Sequence, residues 1–178
     1  MHYRSLAFLA ALSAAVFPLH AADPQSVDAT AELIDNDGHM VGTAELRQGP
    51  AGVLVELEID GLESGWKAIH IHQTGTCADA EEGFQDSGGH LNPEGASHGF
   101  LNPDGPDAGD LPNVHVSAHG TARVELFNER VSLDGSREAD LLAGDGTALV
   151  MHEDPDDHET QPIGGAGARV ACGVVEAQ

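Results

Sequence analysis

The chain has 178 residues, 40% of them hydrophobic and 4% aromatic, with 22 Gly and 9 Pro, which suits one turn-rich domain and excludes a coiled coil or a long helical bundle. Thirty acidic residues face seven Lys and Arg, a formal charge of −23 at pH 7, so phosphate backbones and anionic lipid surfaces are repelled and nucleic acid is excluded as a partner. Eleven His residues are unusual in so acidic a chain, and several recur at short spacings.

The chain opens with a short basic segment, Met1 to Arg4. An apolar run from Leu6 to Phe17 follows, broken only by Ser13, and then the small residues Ala21 and Ala22. This is the pattern of a secretory signal peptide over residues 1–21, which leaves a single domain over 22–178. The apolar run is shorter than the span of about 20 residues that a membrane helix needs, so no membrane attachment is expected once the signal is removed. An exported protein, periplasmic or secreted, meets oxidising conditions, and Cys77 and Cys172 are its two cysteines. They are expected to pair. The bond would close a loop of about 95 residues, worth at most about 4 to 5 kcal/mol by chain entropy.

Past the signal, the hydrophobic period is two. Val27, Ala29, Ala31 and Leu33 alternate with mostly polar neighbours, Asn36-Asp37-Gly38 supplies a turn, and Met40 to Leu46 forms a second strand. In Val53 to Asp60, Val53, Val55, Leu57 and Ile59 share one face while Glu56, Glu58 and Asp60 share the other. Further strands are expected at Trp66 to Gln73, Asn113 to Ala118, Thr121 to Phe127, Thr147 to His152 and Arg169 to Val175. Eight strands without a helix make an all-β sandwich or flattened barrel. Thr74 to Pro112 and Glu153 to Ala168 are rich in Gly, Pro and acids and are expected to be long functional loops.

In Ile69-His70-Ile71-His72, residues two apart point the same way, so the two imidazoles project together. The first long loop adds His90, His98, Asp107 and Asp110, and His152 ends a strand. Imidazole suits copper and zinc, and a mixed imidazole and carboxylate set suits zinc, so a transition metal is expected rather than calcium or magnesium. Coordination would also order a loop that lacks apolar contacts.

Five blocks resemble the copper/zinc superoxide dismutases over nearly all of the mature chain. They are Ile69-His70-Ile71-His72-Gln73 with Gly75 and Cys77; Gly89-His90-Leu91-Asn92-Pro93 with His98-Gly99; Gly109-Asp110-Leu111-Pro112-Asn113; Val150-Met151-His152-Glu153 with Pro155-Asp156-Asp157; and Gly167-Ala168-Arg169-Val170-Ala171-Cys172-Gly173. The resemblance implies an eight-stranded Greek-key β-sandwich in which His70, His72, His90 and His152 hold copper. It implies that His90 is shared with zinc, whose other ligands include His98 and Asp110, and that Asp156 ties a copper ligand to a zinc ligand. It also implies that Arg169 is the guanidinium beside copper, that Cys77 and Cys172 form the family disulfide, and that superoxide is the substrate. His90 and Arg169 would be the catalytic pair. The family contains different assemblies, so a homodimer is left open.

One position departs from the family pattern. Asp107 stands where the family carries a third zinc histidine, and a carboxylate is an acceptable zinc ligand, so a His90, His98, Asp107, Asp110 site is expected. His39, His115, His119 and His158 have no counterpart in the motif and are expected to be surface or otherwise satisfied histidines. Glu153, Asp154, Asp157 and Glu159 crowd the second loop, where the family often carries steering lysines. Lys67 is the one lysine of the chain, and the acid excess resembles the surface of salt-adapted proteins. An alternative from another class is an exported copper- and zinc-binding relative without enzymatic activity.

Overall fold

The computed structural model describes residues 27–178; the expected signal peptide over 1–21 lies outside the described residues. The strands in chain order are β1 (Ala29–Asp35), β2 (Met40–Gly49), β3 (Gly52–Asp60), β4 (Gly65–Lys67), β5 (Ile69–His72), β6 (Val114–Val116) and β7 (Thr121–Asn128). They continue with β8 (Val131–Ser132), β9 (Ala139–Asp140), β10 (Ala148–His152), β11 (Arg169–Val174) and β12 (Glu176–Ala177).

The main antiparallel sheet runs in the order β5-β10-β11-β1-β2-β3-β7, with β12 also paired to β1. Strands β1, β2 and β3 form a meander and β11 returns to lie beside β1, the fourth-first-second-third order of a Greek key. The sheet curls into a sandwich around one main core. Val53, Val55, Leu57 and Ile59 of β3 are buried there with Ala29, Ala31 and Leu33 of β1, Ile69 and Ile71 of β5, and Leu149 and Met151 of β10. Period-two burial is therefore what the alternation in these segments predicts.

The strand expected over Trp66 to Gln73 is two strands. β4 pairs with β6, β5 pairs with β10, and the chain changes partner at Ala68. The Ala68 amide donates to the Asp154 carbonyl, and its carbonyl accepts from the His152 amide, so both of its backbone groups are satisfied by the second loop and the end of β10. The short parallel pair β8 and β9 and the terminal strand β12 were not expected; two-residue strands carry no readable period.

The first long loop contains two single-turn 3-10 segments, Ala80–Glu82 and Gln85–Ser87. It is fastened to the main body at Cys77, which is bonded to Cys172 with the Cα atoms 5.7 Å apart. Beside the disulfide a second small core collects Phe84, Ala148, Val150 and Cys172. Both long loops are tied to the sheet edge at β5, which brings their polar residues together.

Candidate metal centre

The site is built on β5 and its neighbours. Cross-strand partners share a face, and Val150 of β10 lies opposite His70 while Ala148 lies opposite His72. Both histidines therefore face the disulfide side, and Ile69 and Ile71 enter the main core. His152 follows two residues after Val150, at a register shift between β10 and β11; such a bulge re-aims the side chain at a strand end.

The free edge of β5 is covered by the first loop. Gly109 accepts from the Ile71 amide at 2.8 Å, the Leu91 amide donates to Ile71 at 2.8 Å, and the Gln73 amide donates to Gly89 at 2.9 Å. Isolated bridges set His90 opposite His72 and Asp110 opposite His70. Glycine is required at 109, because a Cβ there would collide with the Ile71 carbonyl oxygen and the Leu91 nitrogen. The sheet-edge hydrogen bonds thus carry loop residues to the two histidines of β5.

Four histidine rings meet. Ring centroids are 4.1 Å apart for His70 and His90, 5.0 Å for His70 and His152, 5.5 Å for His72 and His90, and 5.8 Å for His72 and His152. Nδ1 of His70 and Nε2 of His72, His90 and His152 are buried without a hydrogen-bond partner. The opposite nitrogens are engaged: His70 Nε2 with Asp156 Oδ2 at 3.0 Å, His72 Nδ1 with the Gly88 carbonyl at 2.9 Å and His152 Nδ1 with the Gly167 carbonyl at 3.3 Å. A carbonyl only accepts, so Nδ1 of His72 and of His152 carries the hydrogen and Nε2 keeps its lone pair. Orphaned buried nitrogens are costly unless something occupies the space between them. A copper ion, which favours imidazole nitrogen, fits this requirement.

The second half of the site is a cluster of imidazole and carboxylate. His98 Nδ1 lies 2.6 Å from Asp110 Oδ1, and His90 Nδ1 lies 3.1 Å from Asp107 Oδ2 and 3.5 Å from Asp110 Oδ1. His70, His90, His98 and Asp110 each offer a ligand atom within 4.8 Å of the others, as do His70, His72 and His152. Asp107 is outside the first group and reaches the cluster through His90. The donor types match zinc. Asp110 Oδ2 accepts from the Gly99 and Asp107 amides, and Asp107 Oδ1 accepts from the Gly109 amide, so the backbone orients both carboxylates.

Asp156 is buried between the halves. Its Oδ2 meets His70, and its Oδ1 lies 3.1 Å from His98 Nε2. The His158 amide donates to Oδ1 at 2.6 Å, and Asn113 exchanges hydrogen bonds with the Asp156 backbone on both sides. His158 itself takes a left-handed φ of 63° and brings Nδ1 to 3.3 Å from Asp156 Oδ2. It stays outside the ligand cluster and buttresses the carboxylate through its backbone amide, Nδ1 itself making no hydrogen bond among the described residues, a role its spacing did not disclose. His39 is exposed near Asp35, and His115 stacks edge-on against Trp66.

Electrostatics separates the rings. Burial, with Arg169 and the neighbouring rings adding to it, pushes His72 down to about 2, and burial beside His70 pushes His152 down to about 3. Burial also lowers His70 despite its bond to Asp156. His90 is pulled down by burial and pushed up further by Asp107 and Asp110, ending at about 9. Burial would raise Asp156, but hydrogen bonds from His70 and the His158 amide hold it well below the usual carboxylate range.

An open cleft of about 500 Å³ leads to the cluster, bordered by Gln85, Gly88, His90, Asn92, Gln161 and Arg169. Arg169 starts β11; its Nη1 donates to the Phe84 carbonyl and its Nη2 donates to the Gly88 carbonyl at 2.8 Å. Its Nε hydrogen has no protein partner among the described residues.

The copper/zinc superoxide dismutase family model matches residues 40–175. The chain is 47% identical over 151 residues to a Cu-Zn superoxide dismutase of Caulobacter vibrioides, covering 83% of this chain and 85% of that one. It is 41% identical over 165 residues to Cu-Zn superoxide dismutase 2 of Aquifex aeolicus, covering 92% and 95%. Among solved structures, a superoxide dismutase-like protein from Bacillus subtilis superposes with a TM-score of 0.77 at 34% identity, covering 82% of this chain and 96% of that one. The Cu/Zn superoxide dismutase of Brucella abortus gives 0.66 at 26% identity, covering 84% and 100%. A buried nest of imidazoles and carboxylates on a curled Greek-key sheet, matched along most of its length by these relatives, makes this chain a member of the copper/zinc superoxide dismutase family.

Proposed function

We propose that the chain is an exported superoxide dismutase with copper held by His70, His72, His90 and His152 and zinc by His90, His98, Asp107 and Asp110. The observation that carries the ligand assignment is the set of four buried ring nitrogens without partners, one on each histidine of the copper set. Bound copper supplies one-electron exchange with superoxide, and bound zinc a fixed positive charge beside His90. Asp156 holds His70 and His98 in register, as ligating imidazoles require of their outer partners.

Arg169 stays charged at any relevant pH, and its unengaged donors are suited to hold a small dioxygen anion in the cleft. His90 is the proton carrier. Its Nε2 is buried without a protein partner and its Nδ1 faces Asp107 and Asp110, and in the metal-free chain the two carboxylates favour the protonated ring. A proton can sit at Nε2 only while that nitrogen is free of copper, and from there it would pass to the peroxide product. The net reaction takes two superoxide anions and two protons to hydrogen peroxide and dioxygen.

The disulfide supports an oxidising destination, in keeping with a signal peptide over 1–21 and a domain over 22–178. Metal analysis and a superoxide consumption assay on the oxidised protein test the reading: copper and zinc should be present together, and His152→Ala should abolish the activity while the fold persists. Full metal loading without superoxide consumption would identify a metal-binding relative instead.

A further inference from the structure

Ser87 ends the second 3-10 turn of the first loop, three residues before His90, and has no exposed surface. Its hydroxyl meets three groups: the Phe84 carbonyl at 2.8 Å, Arg169 Nη1 at 3.1 Å and His72 Nδ1 at 3.2 Å. A hydroxyl has one hydrogen to give and two lone pairs to accept with. The carbonyl can only accept, so the hydroxyl hydrogen goes to Phe84. Arg169 can only donate. Nδ1 of His72 also faces the Gly88 carbonyl at 2.9 Å, so it carries a hydrogen and shares it between that carbonyl and Ser87. Every hydrogen-bonding site of the hydroxyl is then used, in a place where an unused one would be costly.

The third corner is fixed from the core. Phe84 adopts a left-handed φ of 55° with its ring fully buried against the small core beside the disulfide. Left-handed backbone is uncommon outside glycine and persists only where the surroundings enforce it. Held in this way, the Phe84 carbonyl receives both the Ser87 hydroxyl and Arg169 Nη1.

We propose that Ser87 is a positioning residue: one buried hydroxyl sets the Arg169 guanidinium relative to the His72 imidazole, coupling the group that holds the anion to a ligand of copper. The inference rests on the copper reading above. A merely structural serine, closing its own turn by the bond from its amide to Phe84, would affect stability and leave both of those groups undisturbed. Without the hydroxyl, Arg169 keeps its carbonyl partners and His72 keeps Gly88, so the change is a loss of definition rather than a collapse of the site.

The test uses Ser87→Ala in the copper- and zinc-loaded protein, with azide as the anion and copper(II) electron paramagnetic resonance as the second readout. Azide should bind on the order of fivefold more weakly, the factor that one net hydrogen bond supplies, and the copper signal should change. Ser87→Thr, which keeps a hydroxyl, should move both values back toward wild type. In an Arg169→Gln background, Ser87→Ala should alter azide binding by less than about twofold while its effect on the copper signal persists. Unchanged azide affinity and an unchanged copper signal in Ser87→Ala overturn the proposal. A third readout needs no copper: in the metal-free chain, nitrogen-15 NMR should show faster hydrogen exchange at the Arg169 side chain in Ser87→Ala. Equal exchange rates refute the link between Ser87 and Arg169. Faster exchange in a chain that takes up no copper supports that link while refuting the copper reading.

Discussion

Asp156 joins His70 to His98 with its two carboxylate oxygens, Oδ2 at 3.0 Å from His70 Nε2 and Oδ1 at 3.1 Å from His98 Nε2. One buried group thus orients a ring of each proposed metal site. Gly164 packs directly on this carboxylate, at a φ of +62° and with no room for a Cβ. Asp156→Ala removes the acceptor from both rings. It should lower affinity for both metals by roughly 10- to 100-fold, the usual cost of losing an outer partner of a ligating histidine. Chelator competition measured for copper and zinc separately checks this, and an effect confined to one metal would contradict a shared role.

Asp107 stands in place of a third zinc histidine, with its Oδ2 3.1 Å from His90 Nδ1. If it ligates zinc, Asp107→Ala should weaken zinc by more than the roughly 100-fold expected from loss of an outer partner, with copper retained. Zinc affinity equal to wild type would demote Asp107 to a loop acid that hydrogen-bonds to His90.

The metal-free chain should be most stable near pH 6.5. Burial lowers the folded values of His72 and His152 to about 2 and about 3, against 6.5 when unfolded. Between those limits the unfolded chain binds more protons, so stability falls as pH falls. His90 has the opposite sign: its folded value is raised to about 9, so its contribution is complete below 6.5 and is lost as pH rises toward 9. Thermal melting of the chelated protein should trace a maximum, and His90→Gln should flatten the alkaline limb. Metal loading should also remove that limb, since a ligating imidazole gives up its proton. An alkaline limb unchanged in His90→Gln would exclude His90 as its origin.

Glu153, Asp154, Asp157 and Glu159 are exposed on the loop beside the cleft, and Lys67 is buried with its ammonium on the Glu153 carbonyl. No lysine is left to steer an anion. The acidic rim opposes superoxide at long range, and this repulsion is screened over a Debye length that shrinks from about 10 Å at 0.1 M salt to about 3 Å at 1 M. The superoxide consumption rate should hold steady or rise with added salt. Stopped-flow rates across that range check it, and a steep decline would point to net attraction.

Strand periodicity in Val53 to Asp60, the His70 and His72 pair and the five family blocks were legible in the chain itself, because each depends on residue type and near-neighbour spacing, and the cysteine pairing was legible because an exported chain has only these two. The change of partner at Ala68 was not, since a continuous run from Trp66 to Gln73 contains nothing that says β6 takes its first half and β10 its second. The same limit applied within the site. Which nitrogen of each histidine stays free depends on what bonds to the other one. For His70 that is Asp156, 86 residues away, and for His72 it is Gly88, 16 residues away. Ser87 and His158 looked like ordinary loop residues because their roles exist only where β5, β11 and the two loops close on one another. Local patterning determines which residues can serve, and long-range hydrogen bonding in the folded chain decides which atoms do, because a ring nitrogen is freed only by a partner that folding brings to the other side.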